Sequence, residues 1–538
     1  MVRRLQCRDR KLTQSRMTSR HRGVSAATRY IAGFTWSVLI SAALMLQACT
    51  VLPSQDNRTV SAAFLDTADT HLGRTVAPLT QSHPGKSGVI ALPQGIDAFA
   101  ARIRLADVAE RSLDVQYYIW HNDMAGSLLF DALRRAADRG VRVRLLLDDN
   151  NTEGMDDVLA ELASRRNVEV RLFNPFAARR WRPLGFLTDF DRLDRRMHNK
   201  SFSADNQVTI IGGRNIGDEY FGAGPNVQFV DLDVMAIGDV VRDVSRDFDR
   251  YWASDSAYPA ARIVQPTGAP AELSPAAGAD RASMTALYLD ALARQPFVRE
   301  MLEHRLSFEW ASVHMVSDDP SKGLGKASAD DFLWARLKRI VAMPTRELEL
   351  VSPYFVPGAE AAAHFADMAR HGAKVTVLTN SLEATDVPAV HAGYAKRRRQ
   401  LLEAGVELYE MKRTGGPASR TFRAGGSSSA SSLHAKTFSA DRTAVFVGSF
   451  NFDPRSARLN TELGFVMECP VIASVMADAI TVMMTERAYQ VRLGPDGGLQ
   501  WVERIAGKEV VYDREPGAGF WRQLEISILS LLPIEGLL

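Results

Sequence analysis

Apolar and polar positions along this chain follow two periods in turn. Leu113 to Trp120 alternates and is rich in β-formers, Ser127 to Arg139 carries apolar residues at helical spacing, and Val141 to Leu147 is an apolar run introduced by Gly140. These segments predict a strand, helix, strand unit, with order beginning near Gly95. The pattern returns in the second half, with Glu347 to Val351 as strand, Glu360 to Arg370 as helix, Gly372 as breaker and Val375 to Leu378 as strand. Each half continues with a helix and a further β-like run, Val168 to Phe173 in the first and Val406 to Tyr409 in the second. Matching Gly140 to Gly372, Val168 to Val406 and His198 to His434 gives separations of 232, 238 and 236 residues. Nearly constant separations indicate duplication of a whole α/β domain.

The same reading divides the chain. Residues 1–49 form a leader, 50–94 a Thr-, Ser-, Pro- and Gly-rich tether, 95–258 the first α/β domain and 331–490 the second. Residues 259–330 read as a linker containing a helix from Ser283 to Ala293, with Ser283 as its N-cap. Residues 491–538 form a C-terminal segment whose run from Phe520 onwards is apolar, nearly uncharged and expected to dock on the body or touch a bilayer.

One constellation occurs once in each half. His198, Lys200 and Asp205 precede Gly212, Gly213 and Asn215; His434, Lys436 and Asp441 precede Gly448, Ser449 and Asn451. Both copies read H-x-K, four residues, D, six residues, G-(G/S)-x-N. In each, an apolar run, Val208 to Ile211 or Ala444 to Val447, leads to the glycine, so a strand ends in a turn that presents backbone N–H groups. Strand alternation puts His198 with Lys200, and His434 with Lys436, on one face.

These residue types suit phosphodiester chemistry. An imidazole attacking phosphorus gives a phosphohistidine, which divides one difficult substitution into two and needs a second group to protonate the leaving alkoxide. Lys200 and Lys436 can neutralise the phosphoryl oxygens, and Asn215, Asn451, Gly213 and Ser449 offer hydrogen bonds to them. Each imidazole also needs a carboxylate to fix its tautomer, for which Asp231 or Asp233 and Glu462 are candidates. Asp205 and Asp441 are assigned first to bracing the turn after each strand and second to chemistry.

Composition narrows little. The 538 residues include 65 basic and 63 acidic side chains, so no global charge draws the chain to nucleic acid, and none is expected as a partner. Three cysteines, Cys7, Cys49 and Cys469, are too few for a disulfide framework or a zinc site, and neither metal nor cofactor is expected. Arg20, Arg22 and Arg29 precede an apolar run from Tyr30 to Leu46, closed by Leu46-Gln47-Ala48-Cys49. That order resembles a bacterial lipoprotein signal, in which Cys49 would carry the lipid anchor. A plain anchor or an ordinary cleaved signal are the alternatives, and all three export the body to the cell envelope, at the inner or the outer membrane.

The two H-x-K segments resemble the paired H-K-D motifs of the phospholipase D superfamily. The resemblance covers the chain from about Gly95 to Glu468 and implies two fused phospholipase D-like α/β sandwich domains sharing one active site at their interface. It also implies His198 as nucleophile and His434 as general acid and base. Gly212 to Phe221, Asp453-Pro454-Arg455-Ser456 and the Leu-Leu-Pro-Ile-Glu near the C-terminus are similar to bacterial cardiolipin synthases of the C type. That branch implies a membrane-attached phosphatidyltransferase acting on phosphatidylglycerol, with phosphatidylglycerol or phosphatidylethanolamine as donor. The alternatives are a phospholipase D or nuclease hydrolysing the same bond class, and a non-catalytic envelope lipoprotein. The stretch Phe173 to Leu187, with its Phe, Trp and Arg residues, reads equally as a membrane-facing rim or as core beneath an arginine edge. Lys412, Arg413, Arg420 and Arg423 punctuate a Gly/Ser-rich loop through Ser432 and are candidate headgroup contacts.

Overall fold

The computed structural model describes residues 52–223, 228–268, 279–303, 305–413, 431–505, 507–531, 536 and 538. Cys49 with the rest of the leader, Arg420 and Arg423 lie outside the described residues.

The first half contributes β1 (Ser87–Leu92), β2 (Ser112–Ile119), β3 (Arg142–Asn151), β4 (Val168–Phe173), β5 (Ser201–Ala204), β6 (Val208–Gly212), β7 (Gln228–Val230), β8 (Asp233–Gly238) and β9 (Ala257–Pro259). A strand between the halves, β10 (Glu309–Ser317), follows. The second half contributes β11 (Glu347–Val351), β12 (Lys374–Asn380), β13 (Glu407–Met411), β14 (Ser431–Leu433), β15 (Thr437–Ala440), β16 (Ala444–Gly448), β17 (Leu463–Glu468), β18 (Ala488–Leu493), β19 (Leu499–Ile505) and β20 (Lys508–Tyr512).

Side-by-side pairing makes the duplication explicit. The spatial order β4-β3-β2-β5-β6-β8 is matched by β13-β12-β11-β15-β16-β17, and in both runs the first three strands are parallel and the rest antiparallel. Parallel strands need crossovers, supplied by helices such as Met124–Asp138 after β2 and Gly358–Arg370 after β11. The first of these helices starts where Asp123 Oδ1 accepts from Gly126 N at 2.9 Å. Two apolar clusters fill one half each. A third, including Ile211 and Val234 from the first half and Val447 and Phe465 from the second, lies between them. Each large aliphatic side chain fully buried there stabilises by about 1.5–3 kcal/mol, so the halves are held as one body.

Three expectations change. The 259–330 linker contains β10, whose residues 309–311 pair with β1 while 312–317 pair with β17, joining the halves in one eighteen-stranded sheet. Its helix runs Ala279–Ala293, so Ser283 lies within it and is not the N-cap. The 50–94 tether carries the helix His71–Gln81 and β1, and its backbone accepts from buried arginines, Arg144 Nη1 to Ser61 O at 3.0 Å and Arg171 Nη2 to Thr59 O at 2.6 Å. Polar composition concealed this, because the segment is held through its carbonyls as well as through Leu72, Val76, Val89 and Leu92 in the core. At the other end β18 to β20 extend the sheet, and the helix Phe520–Leu531 docks through Ile526 against Leu382 and Ala392.

Candidate active site

Each motif histidine lies just before a hairpin and is tied by its backbone to the opposite half. His198 N donates to Thr461 O at 2.8 Å, and His434 N donates to Val230 O at 2.8 Å, beside the parallel pairing of β7 with β14. The side chains follow the same exchange. His198 Nδ1 is 2.8 Å from Glu462 Oε2, and His434 Nδ1 is 2.6 Å from Asp231 Oδ2. Each imidazole therefore takes its orienting carboxylate from the other half, and Nδ1–H donation leaves Nε2 for chemistry. Neither half holds a complete site.

Asp233, the other candidate after the first motif, reaches neither imidazole. It accepts from Arg102 Nη2 at 2.8 Å and from Arg214 N at 3.2 Å, two residues beyond Asp231 at the start of β8. Asp205 and Asp441 likewise accept from backbone N–H groups and, among the described residues, from neither imidazole. Asp205 accepts from the backbone N–H groups of Glu110, Arg111 and Ser112, at 3.0, 2.7 and 2.9 Å. Asp441 does the same for Thr345, Arg346 and Glu347 at 3.0, 2.8 and 2.9 Å. Each occupies a tight hairpin turn at positive φ, 51° and 53°, a conformation that Asp tolerates better than most residues.

The G-(G/S)-x-N segments are unequal. A Cβ at Gly213 would overlap Asp231 Oδ1, whereas Ser449 Oγ donates to Glu462 Oε2 and Ser456 Oγ donates to Glu462 Oε1 at 2.8 Å. A bare glycine thus goes with the shorter carboxylate and a serine with the longer one. Ser449 consequently acts on Glu462 rather than on phosphate. Asn215 is also committed: its Oδ1 accepts from Ile119 N at 3.1 Å and its Nδ2 donates to Tyr220 OH at 3.0 Å. Asn451 Oδ1 is buried without a hydrogen-bond partner among the described residues, which leaves it for substrate.

Buried charged side chains hold the backbone on both sides of the site. Arg196 Nη2 donates to Asp148 Oδ1 at 2.7 Å, and Asp148 Oδ2 accepts from Met197 N at 2.8 Å, fixing the residue before His198. Asp318 Oδ2 accepts from Glu462 N at 2.9 Å, while Lys322 Nζ donates to Asp318 Oδ1 and to Ser456 O, both at 2.9 Å. Arg214 Nη2 donates to Asp231 O at 2.6 Å. The sequence offered one signal for this layer, a charged residue, Asp148, directly abutting the apolar run Leu145 to Leu147.

Electrostatics separate the two histidines. Burial and the charges of Lys200, Lys436 and His434 push the His198 imidazole well below its ordinary value. Burial and Lys436, whose Nζ lies 3.1 Å from Nδ1, lower His434 as well, but Asp231 opposes them. Burial pushes Glu462 up to about 7, against the pull of Lys200; Asp231 is held well below the usual carboxylate range by His434 and Lys436 despite burial. Burial lowers both lysines, Lys436 to about 8. Each ammonium donates to its own histidine's carbonyl and keeps further N–H groups for a ligand.

Aromatic rings wall the site. Tyr118 stands edge-on to His198 at 5.0 Å, and Tyr220 and Phe229 flank His434 at 5.2 and 5.0 Å. The stretch before the first motif divides between its two readings: Arg179 and Arg182 are buried on Asp149 and Asp156, and Phe176 is core, but Trp181 and Leu187 are exposed. Lys412 pairs with Glu503 at 2.9 Å. Among the described residues two groups have metal-ligand geometry. In one, His391 with Glu410 and Glu515, the guanidinium of Arg398 already sits between the ligands; the other, His121 with Asp123 and Glu219, is half-exposed. Neither contains a motif residue.

Comparison with known proteins agrees with this geometry. The family model described as "Cardiolipin synthase, PLD-like domain" matches residues 103–252 and 337–483. The chain is 50% identical over 470 residues to cardiolipin synthase C of Escherichia coli, covering 87% of this chain and 99% of that protein. It is 31% identical over 423 residues to an uncharacterized protein of Helicobacter pylori, covering 76% of this chain and 81% of that one. Among solved structures, the phosphatidylserine synthase of Haemophilus influenzae superposes with a TM-score of 0.51 at 12% identity, over 86% of this chain and 100% of that one, a likeness of fold. The duplicated, interlocked halves and these matches together show that the chain belongs to the cardiolipin synthase family of phospholipase D-like proteins.

Proposed function

We propose that this protein is a phosphatidyltransferase of the cardiolipin synthase type, moving a phosphatidyl group from phosphatidylglycerol or phosphatidylethanolamine onto a hydroxyl of phosphatidylglycerol. The observation that carries the reading is the exchange of carboxylates, His198 with Glu462 and His434 with Asp231, which assembles two oriented imidazoles and two lysines in one site. The 50% identity to a cardiolipin synthase supports it.

In the first step Nε2 of His198, neutral because its proton affinity is depressed, attacks phosphorus. The bond to the donor's headgroup oxygen breaks, and His434 protonates that oxygen. His434, beside an ionised Asp231, is the imidazole better suited to carry the proton. In the second step His434 takes the proton of the acceptor hydroxyl, the new phosphorus–oxygen bond forms and the bond to His198 breaks. Lys200 and Lys436 offset the charge on the phosphoryl oxygens throughout, and the buried amide of Asn451 meets a substrate oxygen or hydroxyl.

Phospholipid substrates support a position at a membrane of the cell envelope, and the lipoprotein-like order closing in Leu46-Gln47-Ala48-Cys49 supports Cys49 as the point of lipid attachment. Among the described residues no helix is long and apolar enough to cross a bilayer. Incubation of purified protein with labelled phosphatidylglycerol in chelator, with and without phosphatidylethanolamine, tests the reading. Cardiolipin is the expected product, and release of phosphatidic acid alone would replace transfer by hydrolysis.

A further inference from the structure

We infer that two exposed apolar elements, one from each half, form a single bilayer-docking rim astride the active site: the turn-and-helix stretch from Trp181 to Phe190 and the outer face of the helix Phe520–Leu531. This rests on the phosphatidyltransferase reading and adds to it the surface through which lipid reaches the site.

Each element shows one buried and one solvent-exposed side. In the first, Arg179, Arg182 and Gly185 are buried, while Trp181 is 70% and Leu187 82% exposed, with Phe190 beside them. In the second, Ile526 packs on the body, while Trp521, Leu524, Ile528 and Leu531 recur at intervals of three and four residues along the opposite face, Ile528 55% and Leu531 85% exposed. That helix carries only two charged side chains, Arg522 and Glu525, and Arg522 is turned inward, its Nη2 donating to Thr385 O at 2.8 Å.

The residues that follow the second motif hold the end of the first element, and they also hold Leu538, seven residues beyond the second. Arg455 Nη1 donates to Asp194 O at 2.8 Å, one residue beyond the short helix Phe190–Leu193, and Arg455 N donates to Leu538 O at 2.7 Å. The charge of Arg455 reaches Tyr118, the ring standing over His198. On the far side, Thr385, which holds Arg522, is followed by Asp386, which accepts from Tyr354 OH at 2.8 Å. Asp386 also lies close enough to Lys436 for its charge to support that ammonium.

The occupant that fits is a phospholipid surface. Its acyl chains match two strips of tryptophan, leucine, isoleucine and phenylalanine, tryptophan being the residue that partitions to the bilayer interface. Its headgroups would then lie level with the two histidines between the strips, so a donor or acceptor lipid reaches the site without leaving the membrane. A soluble partner would need to contact both halves without covering the cleft between them.

The test uses the full chain carrying Leu187→Asp and Ile528→Asp together. Transfer is measured on phosphatidylglycerol vesicles and on a short-chain phosphatidylglycerol kept monomeric. Vesicle turnover is expected to fall about tenfold or more, and monomer turnover to stay within about twofold. Loss in neither assay, or equal loss in both, would overturn the rim. Wild-type protein inactive on both substrates would count against the transferase reading instead. Independently, brominated-lipid vesicles should quench wild-type tryptophan emission, and Trp181→Phe and Trp521→Phe should each remove part of the quenched fraction; unchanged quenching in both variants also overturns the rim.

Discussion

Replacing Asp231 by Asn tests the exchange of carboxylates most directly, because the substitution lies in the first half and its effect is expected on a histidine in the second. The amide keeps the shape of the side chain and can still accept from Nδ1–H, but it removes the charge that supports His434 as a proton carrier. Asp231 and His434 are both fully buried in the site, and breaking such a pair by removing one charge costs about 3–5 kcal/mol. At ~1.4 kcal/mol per tenfold in rate, transfer should slow by about 10²- to 10⁴-fold, in kcat more than in KM. The assay that separates roles uses two donors, phosphatidylglycerol and the p-nitrophenyl ester of phosphatidic acid, whose leaving group needs no proton. In Asp231→Asn the first turnover of the nitrophenyl donor should appear as a near-normal burst of nitrophenol followed by slow steady release. Glu462→Gln, which disturbs His198, should abolish the burst itself. A burst slowed in Asp231→Asn as severely as steady-state transfer would refute the assignment of His434 as acid and His198 as nucleophile.

Gly213→Ser, which makes the first motif match the second, should abolish activity, because a Cβ there overlaps the Asp231 carboxylate; an active variant would show that Asp231 can move away without consequence. Lys436 holds its proton only up to about 8, so transfer should decline as pH rises through that value, and Lys436→Arg, charged at any such pH, should move the alkaline limb upward while lowering the maximum. Lys322→Met removes a positive charge that lowers Glu462 and should shift the acid limb, expected near 7, to higher pH, with Lys322→Arg restoring it; an unmoved limb would make Lys322 merely structural. Asp205→Ala unties three backbone N–H groups and should cost about 2–4 kcal/mol in urea unfolding while the folded fraction keeps its specific activity, a combination that a catalytic Asp205 could not give.

The duplicated unit was legible because strand alternation and helix spacing are local, and because His198 and His434 fall at nearly the same distances from the same landmarks. The histidines, the lysines and the bracing role of Asp205 and Asp441 could likewise be read from spacing, since each depends on a short strand and turn. Less legible was which carboxylate serves which imidazole. Asp231, Asp233 and Glu462 follow their motifs at similar distances, and only the parallel pairing of β7 with β14 and the bridge between Met197 and Thr461 reveal that the partners cross. The segments before β2 and around β10 were misread for a related reason. Their residues are polar or Pro- and Gly-rich, yet β1 and β10 occupy the middle of the sheet, where neighbours from distant parts of the chain cover them. Asp318 and Lys322 escaped attention inside a presumed linker, since a buried ion pair leaves no periodic trace.

The pairing of Gly213 with Asp231 and of Ser449 with Glu462 bears on how such a molecule can change over generations. Two halves that began alike would have carried the same glycine or serine and the same carboxylate, yet here neither couple can be exchanged singly: a serine opposite Asp231 overlaps it, and a glycine opposite Glu462 withdraws a hydrogen bond from it. Because each carboxylate serves the histidine of the other half, a change in one half is judged by the performance of its neighbour. Divergence of the two copies is therefore confined to linked steps, and a recombinant that duplicates either half would inherit two like couples in place of the unlike pair that distinguishes the proton carrier from the nucleophile.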